Sequence, residues 1–133
     1  MALLLDTDVA VHIRDGQRDI IGRVVARSAP LFLSSATLIE LTGGVYARPE
    51  LSRARREGLQ SLLRQATPIV LDDTVIGRYD GILRVTGFSR AKVFDRVIAA
   101  TAIAHDLTLV TINGADFREI PGLKLEVWPA PAQ

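Results

Sequence analysis

The sequence predicts a three-layer α/β sandwich with a mainly parallel central sheet, and three observations carry that expectation. Short apolar runs alternate with longer stretches of helical periodicity, the pattern that βαβ units leave in a chain. Four Phe, two Tyr and one Trp make the core aliphatic, and the short apolar runs flanked by longer helical patterns favour α/β over an all-β sandwich. The chain has 133 residues, 48% of them apolar, enough for one domain over residues 1–133 with a continuous core.

The first strand is the run Leu3, Leu4, Leu5, which stops abruptly on Asp6. Residues 8–13 read as one short helix and 17–28 as a second, with Ile20, Ile21, Val24 and Val25 on its inner face. Pro30 interrupts. Residues 31–33 form a second strand, Ser34 or Ser35 supplies an N-cap, and 36–47 is a helix carrying Glu40. Gly43 and Gly44 weaken that helix by about 1 kcal/mol each relative to Ala, so close approach of a neighbouring element is expected there.

Pro49 marks the next break, and 50–66 is a long amphipathic helix. Leu51, Leu59, Leu62 and Leu63 face inward; Arg53, Arg55, Arg56 and Arg64 face outward. Pro68 ends this helix. Residues 69–71 form a third strand running into Asp72 and Asp73, and 74–86 is a helix with Val75, Tyr79, Ile82 and Leu83 inward, closed by Gly87. A polar linker at 88–93 leads to an Ala-rich helix at 94–105 with Asp95 at its start. A fourth strand at 107–111, a polar turn at 112–119 containing Asp116, and an edge strand at 123–128 complete the α/β pattern, which calls for right-handed crossovers.

Composition excludes several chemistries. No cysteine is present, so disulfides, thiolate nucleophiles and Cys-based zinc sites are ruled out, and His12 and His105 are the two imidazoles. A net charge of +1 gives no global attraction to nucleic acid, so phosphate binding needs a local patch. All basic residues but Lys92 and Lys124 are Arg, which suits bidentate phosphate contacts but equally reflects a compositional bias. No apolar run approaches the roughly 20 residues a bilayer span needs, and the start lacks a signal-peptide pattern. A cytoplasmic protein with no membrane partner is expected.

The chemistry lies in acids. Asp6 and Asp116 follow strands, Asp95 opens a helix, and Glu40 lies about two turns into another. At the C-terminal ends of parallel strands such side chains can converge on the crevice where open α/β sheets bind ligands. An all-oxygen set with three or four carboxylates describes a hard divalent cation, Mg²⁺ or Mn²⁺. Such an ion activates water for phosphodiester hydrolysis, and without it the carboxylates repel one another. Each acid also has a structural role open to it. Asp6 or Asp8 can cap the following helix, with Asp8 the better candidate; Asp95 can act as a capping acid, and Asp116 as a turn residue. Glu40, flanked by Leu38, Ile39 and Leu41, reads as a partly buried acid in need of a partner.

The pieces LLLDTD at 3–8, SSATLIELTGGV at 34–45 and FDRVIAATAIAHDLTLVTINGADFREIPGLKLEVW at 94–128 closely resemble PIN-domain proteins, above all the VapC toxins of bacterial VapBC toxin-antitoxin modules. The resemblance runs from end to end and is weakest at 48–92, where no substrate-binding residue can be carried over. It implies a PIN-like, mainly parallel α/β sandwich and an acidic quartet, here Asp6, Glu40, Asp95 and Asp116, that binds Mg²⁺ or Mn²⁺ for endoribonuclease activity. Thr111 and Asn113 match polar positions that support the site. A cognate VapB-type antitoxin, an RNA substrate and homodimerisation through apolar helical faces are further implications. Phe94 stands where many VapC sequences have Asn or Ala before the acid, which leaves the subgroup open.

Asp6, Thr7 and Asp8 also fit the Asp-x-Asp motif of haloacid-dehalogenase-type phosphatases, and 69–73 imitates their Asp-Asp motif. That family places a Lys before the Asp-Asp pair, whereas Lys92 and Lys124 both lie after it. A phospho-receiver domain fails because no Lys follows the strand ending at Thr111. A PIN nuclease acting on DNA or in RNA processing, and a non-catalytic PIN-like binding module, stay open. His12, His105 and Trp128 are assigned packing or surface roles, and Arg53, Arg55 and Arg56 a solvated face.

Overall fold

The computed structural model describes residues 1–132. Its sheet has five parallel strands in the order β3-β2-β1-β4-β5: β1 (Leu3–Leu5), β2 (Leu31–Ser34), β3 (Ala66–Ile69), β4 (Thr108–Thr111) and β5 (Lys124–Val127). Helices α1 (Thr7–Arg14) and α2 (Arg18–Arg27) join β1 to β2. Helices α3 (Ser35–Ala47) and α4 (Ser52–Gln65) join β2 to β3, and α5 (Asp73–Thr86) and α6 (Val93–Ala104) join β3 to β4. A 3₁₀ turn at Gly114–Asp116 follows β4. Among the described residues no helix is long and apolar enough to cross a membrane.

Alternation along β1 divides the core in two. Leu4 faces one cluster with Val75, Ile82, Ile98, Ala99, Ala102, Leu109 and Phe117; Leu3 and Leu5 face the other, with Val9, Ile20, Leu33, Leu41, Leu62 and Trp128. Both faces of the sheet are thus covered, which is why β1 is an unbroken run of buried leucines rather than an alternating strand. This is the expected three-layer α/β sandwich, with every strand pair parallel.

The strand order places a topological switch between β1 and β4. From β1 the chain runs outward to β2 and β3, and β4 returns on the opposite side of β1. The crevice at the C-terminal ends of these two strands is where such sheets bind ligands. Asp6 N donates to Val110 O at 2.9 Å, so β1 and β4 remain tied up to this point.

Several local expectations are corrected. The third strand is 66–69 rather than 69–71, and α4 ends at Gln65. Pro68 lies inside that strand, opposite Leu33; β3 is an edge strand, and an edge tolerates a residue without N–H. Val25 and Leu63, expected inward, are exposed. Gly43 has open space where a Cβ would stand, whereas a Cβ on Gly44 would lie 3.1 Å from the Arg14 guanidinium. The tightest approach is at Gly58, where a Cβ would come within 2.1 Å of Arg14 O, so α4 lies against the end of α1 there. Trp128 is a buried anchor, its indole N–H donating to Glu126 at 2.6 Å.

Candidate active site at the switch between β1 and β4

Asp6 is the first residue beyond β1, and its extended backbone makes it the N-cap of α1. Its Oδ1 accepts from Thr7 N at 2.8 Å and its Oδ2 from the Thr111 hydroxyl at 2.7 Å. The side chain is only 5% exposed. Burial, and next the charge of Asp8, push its pKa up to about 7, against the opposing pull of the Thr111 and Thr7 hydrogen bonds.

Helix α3 starts from Ser34, whose Oγ accepts from Ala36 N at 3.1 Å, and carries Glu40 in its second turn. Glu40 is exposed, which corrects the expectation of a partly buried acid: the outward face of α3 also carries exposed Ile39 and Tyr46. Its partner is nevertheless specific. Thr7 Oγ1 lies 2.7 Å from Glu40 Oε1 and 3.0 Å from Thr37 Oγ1. Glu40 can only accept, so Thr7 spends its one hydroxyl proton there and Thr37 donates to Thr7.

Asp95 is the third residue of α6, where the helix dipole favours negative charge. Burial first, then the charges of Asp116, Glu40 and Asp8, raise its pKa, and Lys92 alone opposes them. No hydrogen bond figures among these influences. Asp116, at the end of the 3₁₀ turn after β4, is exposed. The structure places Asp95 within electrostatic reach of the other three acids: Asp95 feels both Glu40 and Asp116, and Asp6 feels Asp95. Neither His12 nor His105 is among the groups acting on them.

Thr111 ends β4 and Asn113 follows it, and they contact Asp6 and Asp8. The Thr111 hydroxyl donates to Asp6 while its oxygen accepts from Asn113 N at 3.0 Å. Asp8 does not take the capping role assigned to it. Asp6 is the cap, and Asp8, in the first turn of α1, accepts from Val9 N at 2.7 Å, from Ile112 N at 3.2 Å and from Asn113 Nδ2 at 3.0 Å. Sequence reasoning also passed over Thr7 and Thr37. The signal for Thr7 was its place between two acids in the run 6–8.

The donor set is all oxygen and the acids repel one another, which fits a hard divalent cation better than any other occupant. Among the described residues, however, no three acidic or imidazole side chains stand in an arrangement that holds an ion as they are placed.

A parallel, doubly wound sheet with carboxylates gathered at its switch point defines an α/β domain with an acidic, oxygen-only site. The PIN domain model matches residues 3–123, and the chain belongs to that family. It is 30% identical over 135 aligned residues to a protein of Salmonella typhimurium named tRNA(fMet)-specific endonuclease VapC, the match covering 96% of this chain and 98% of that one. It is 28% identical to Ribonuclease VapC2 of Rickettsia felis, covering 96% and 98%. Among solved structures, VapBC2 of Rickettsia felis bound to a DNA fragment from their promoter superposes with a TM-score of 0.83 at 28% identity, over 96% of this chain and 99% of that one. DNA-bound VapBC of Salmonella typhimurium also gives 0.83, at 23% identity over 96% and 98%, a likeness of fold alone.

Proposed function

We propose that this chain is a VapC-type toxin, a metal-dependent endoribonuclease that hydrolyses RNA phosphodiester bonds and thereby inhibits translation. One observation carries the reading: carboxylates from four separate segments act on one another near the β1–β4 switch, and burial together with this mutual repulsion raises the pKa values of Asp6 and Asp95, a penalty that a bound cation would relieve. Asp6, Asp95 and Asp116 would hold Mg²⁺, with Mn²⁺ as a substitute, and Glu40 would bind it or orient the attacking water. The ion supplies an activated water and neutralises charge on the phosphate. The chain's own part is to aim the acids. Thr7, steadied by Thr37, fixes Glu40, and Thr111 fixes Asp6.

RNA as substrate follows from the names of the relatives, one a ribonuclease and one an endonuclease specific for a tRNA; tRNA is therefore the first substrate to test. A VapB-type antitoxin is the expected partner, because the structural relatives were solved as VapBC complexes. Homodimerisation would use exposed apolar side chains such as Ile39 and Tyr46 on α3. We read residues 1–133 as one domain acting in the cytoplasm.

Induction of the wild type and of Asp6→Asn in cells, followed by mapping of new RNA 5′ ends, tests the reading. New ends at defined positions, with growth arrest, are expected from the wild type only. The same ends from both proteins, or none from either, would refute it. The rival reading is a non-catalytic PIN module. It predicts no Mg²⁺-dependent rise in melting temperature.

A further inference from the structure

We infer that Asp8 is a positioning residue that latches the turn bearing Asp116 to the start of α1, and that it is not a fifth ligand. The inference rests on the metal-dependent reading above and specifies how that site is assembled. Its basis is the way the Asp8 carboxylate is occupied. Oδ1 accepts from Val9 N at 2.7 Å, and Oδ2 accepts from Ile112 N at 3.2 Å and Asn113 Nδ2 at 3.0 Å, with Thr111 Oγ1 at 3.4 Å. Three N–H donors already use this group, which leaves it poorly placed to serve a cation. Asp95 is its opposite, a carboxyl shaped by burial and neighbouring charges with no hydrogen bond among them.

What Asp8 holds is the first stretch of chain after β4. Ile112 and Asn113 lead directly into the Gly114–Asp116 turn, so two donors on one carboxylate oxygen fix the entry of that turn relative to α1. Thr111 shares the arrangement. Its single proton goes to Asp6 at 2.7 Å rather than to the more distant Asp8, and its oxygen receives Asn113 N. The far side of the turn is blocked as well: a Cβ on Gly114 would stand 2.7 Å from Val127 Cγ2. The turn is thus clamped between Asp8 and β5. Asp116 is exposed and closes this turn, so its distance from Asp6 and Asp95 depends on this clamp. Partners that orient a ligand-bearing segment typically change metal affinity or activity by about 10–100-fold when removed.

The acceptor, not the charge, does this positioning, and that separates the latch from a ligand role. Asp8→Asn keeps an oxygen for Ile112 N and Asn113 Nδ2 but is neutral; Asp8→Ala keeps neither. The test is a thermal-shift titration of the purified chain with MgCl₂, read beside the ¹H–¹⁵N side-chain amide resonance of Asn113 in metal-free protein. Asp8→Ala is expected to raise the Mg²⁺ midpoint at least about tenfold and to move the Asn113 amide to the position of a solvated Asn. Asp8→Asn is expected to stay within about threefold of wild type, with the Asn113 amide still displaced. An Asp8→Ala midpoint equal to wild type overturns the latch, and so does an Asp8→Asn midpoint as weak as Asp8→Ala, since that would mark Asp8 as a ligand. A wild type with no Mg²⁺ response overturns the metal-dependent reading itself, and the inference with it.

Discussion

Replacing Asp6 by Asn should destroy the proposed activity and yet stabilise the fold in a pH-dependent way. The wild-type carboxyl is buried and titrates at about 7 instead of 3.8. Between those values the folded chain keeps a proton that the unfolded chain releases. Stability is therefore lost as pH rises through this window, and the whole penalty stands above pH 7. At 1.36 kcal/mol per pKa unit it amounts to about 4 kcal/mol. Asn keeps an oxygen for Thr7 N, whereas the Thr111 hydroxyl must turn to accept, at a cost of about 1 kcal/mol. Without divalent cations, urea unfolding at pH 8 should find Asp6→Asn about 3 kcal/mol more stable than wild type. At pH 4 the gain should vanish and leave the variant about 1 kcal/mol less stable. A difference between the two proteins that is the same at both pH values would refute the claim that Asp6 is an electrostatically frustrated acid.

Gly58→Ala should destabilise by at least about 2 kcal/mol in urea unfolding, because its Cβ would meet the Arg14 carbonyl at 2.1 Å. Gly43→Ala, on the same assay, should gain up to about 1 kcal/mol from helix propensity, having open space around it; equal effects at the two positions would contradict the packing described. Ser34→Ala removes the cap of α3 and should cost about 1 kcal/mol. Thr7→Val should lower cleavage with little change in melting temperature, since it frees Glu40 from its hydrogen bond; unaltered cleavage would remove Thr7 from the site.

Much of the architecture was readable because periodicity reports burial. Leu3–Leu5 is apolar without alternation since both its faces are covered, and Asp6 ends it at the one place where a carboxylate is useful. The error at β3 arose from treating Pro68 as a terminator. Its tolerance depends on being at an edge, which is a property of the assembled sheet. Glu40 was judged by its neighbours in sequence, but α3 is apolar on both faces, with Ile39 59% exposed, so apolar neighbours said nothing about depth. Asp8 was misread for a different reason: its partners Ile112 and Asn113 follow β4, more than a hundred residues later. Asp6, Asp95 and Asp116 stand out in the sequence because each follows a strand or opens a helix, whereas Thr7, Thr37 and Gly58 owe their roles to contacts that local pattern does not encode.

The carboxylates at the β1–β4 switch are proposed to work through a divalent cation on RNA. The decisive assay incubates the purified chain with a labelled tRNA pool, with Mg²⁺, with EDTA, and with Asp95→Asn in place of wild type. Cleavage at discrete positions by the wild type in Mg²⁺, abolished both by EDTA and by the substitution, is the predicted result. Cleavage that persists in EDTA, or that Asp95→Asn performs at the wild-type rate, would contradict it.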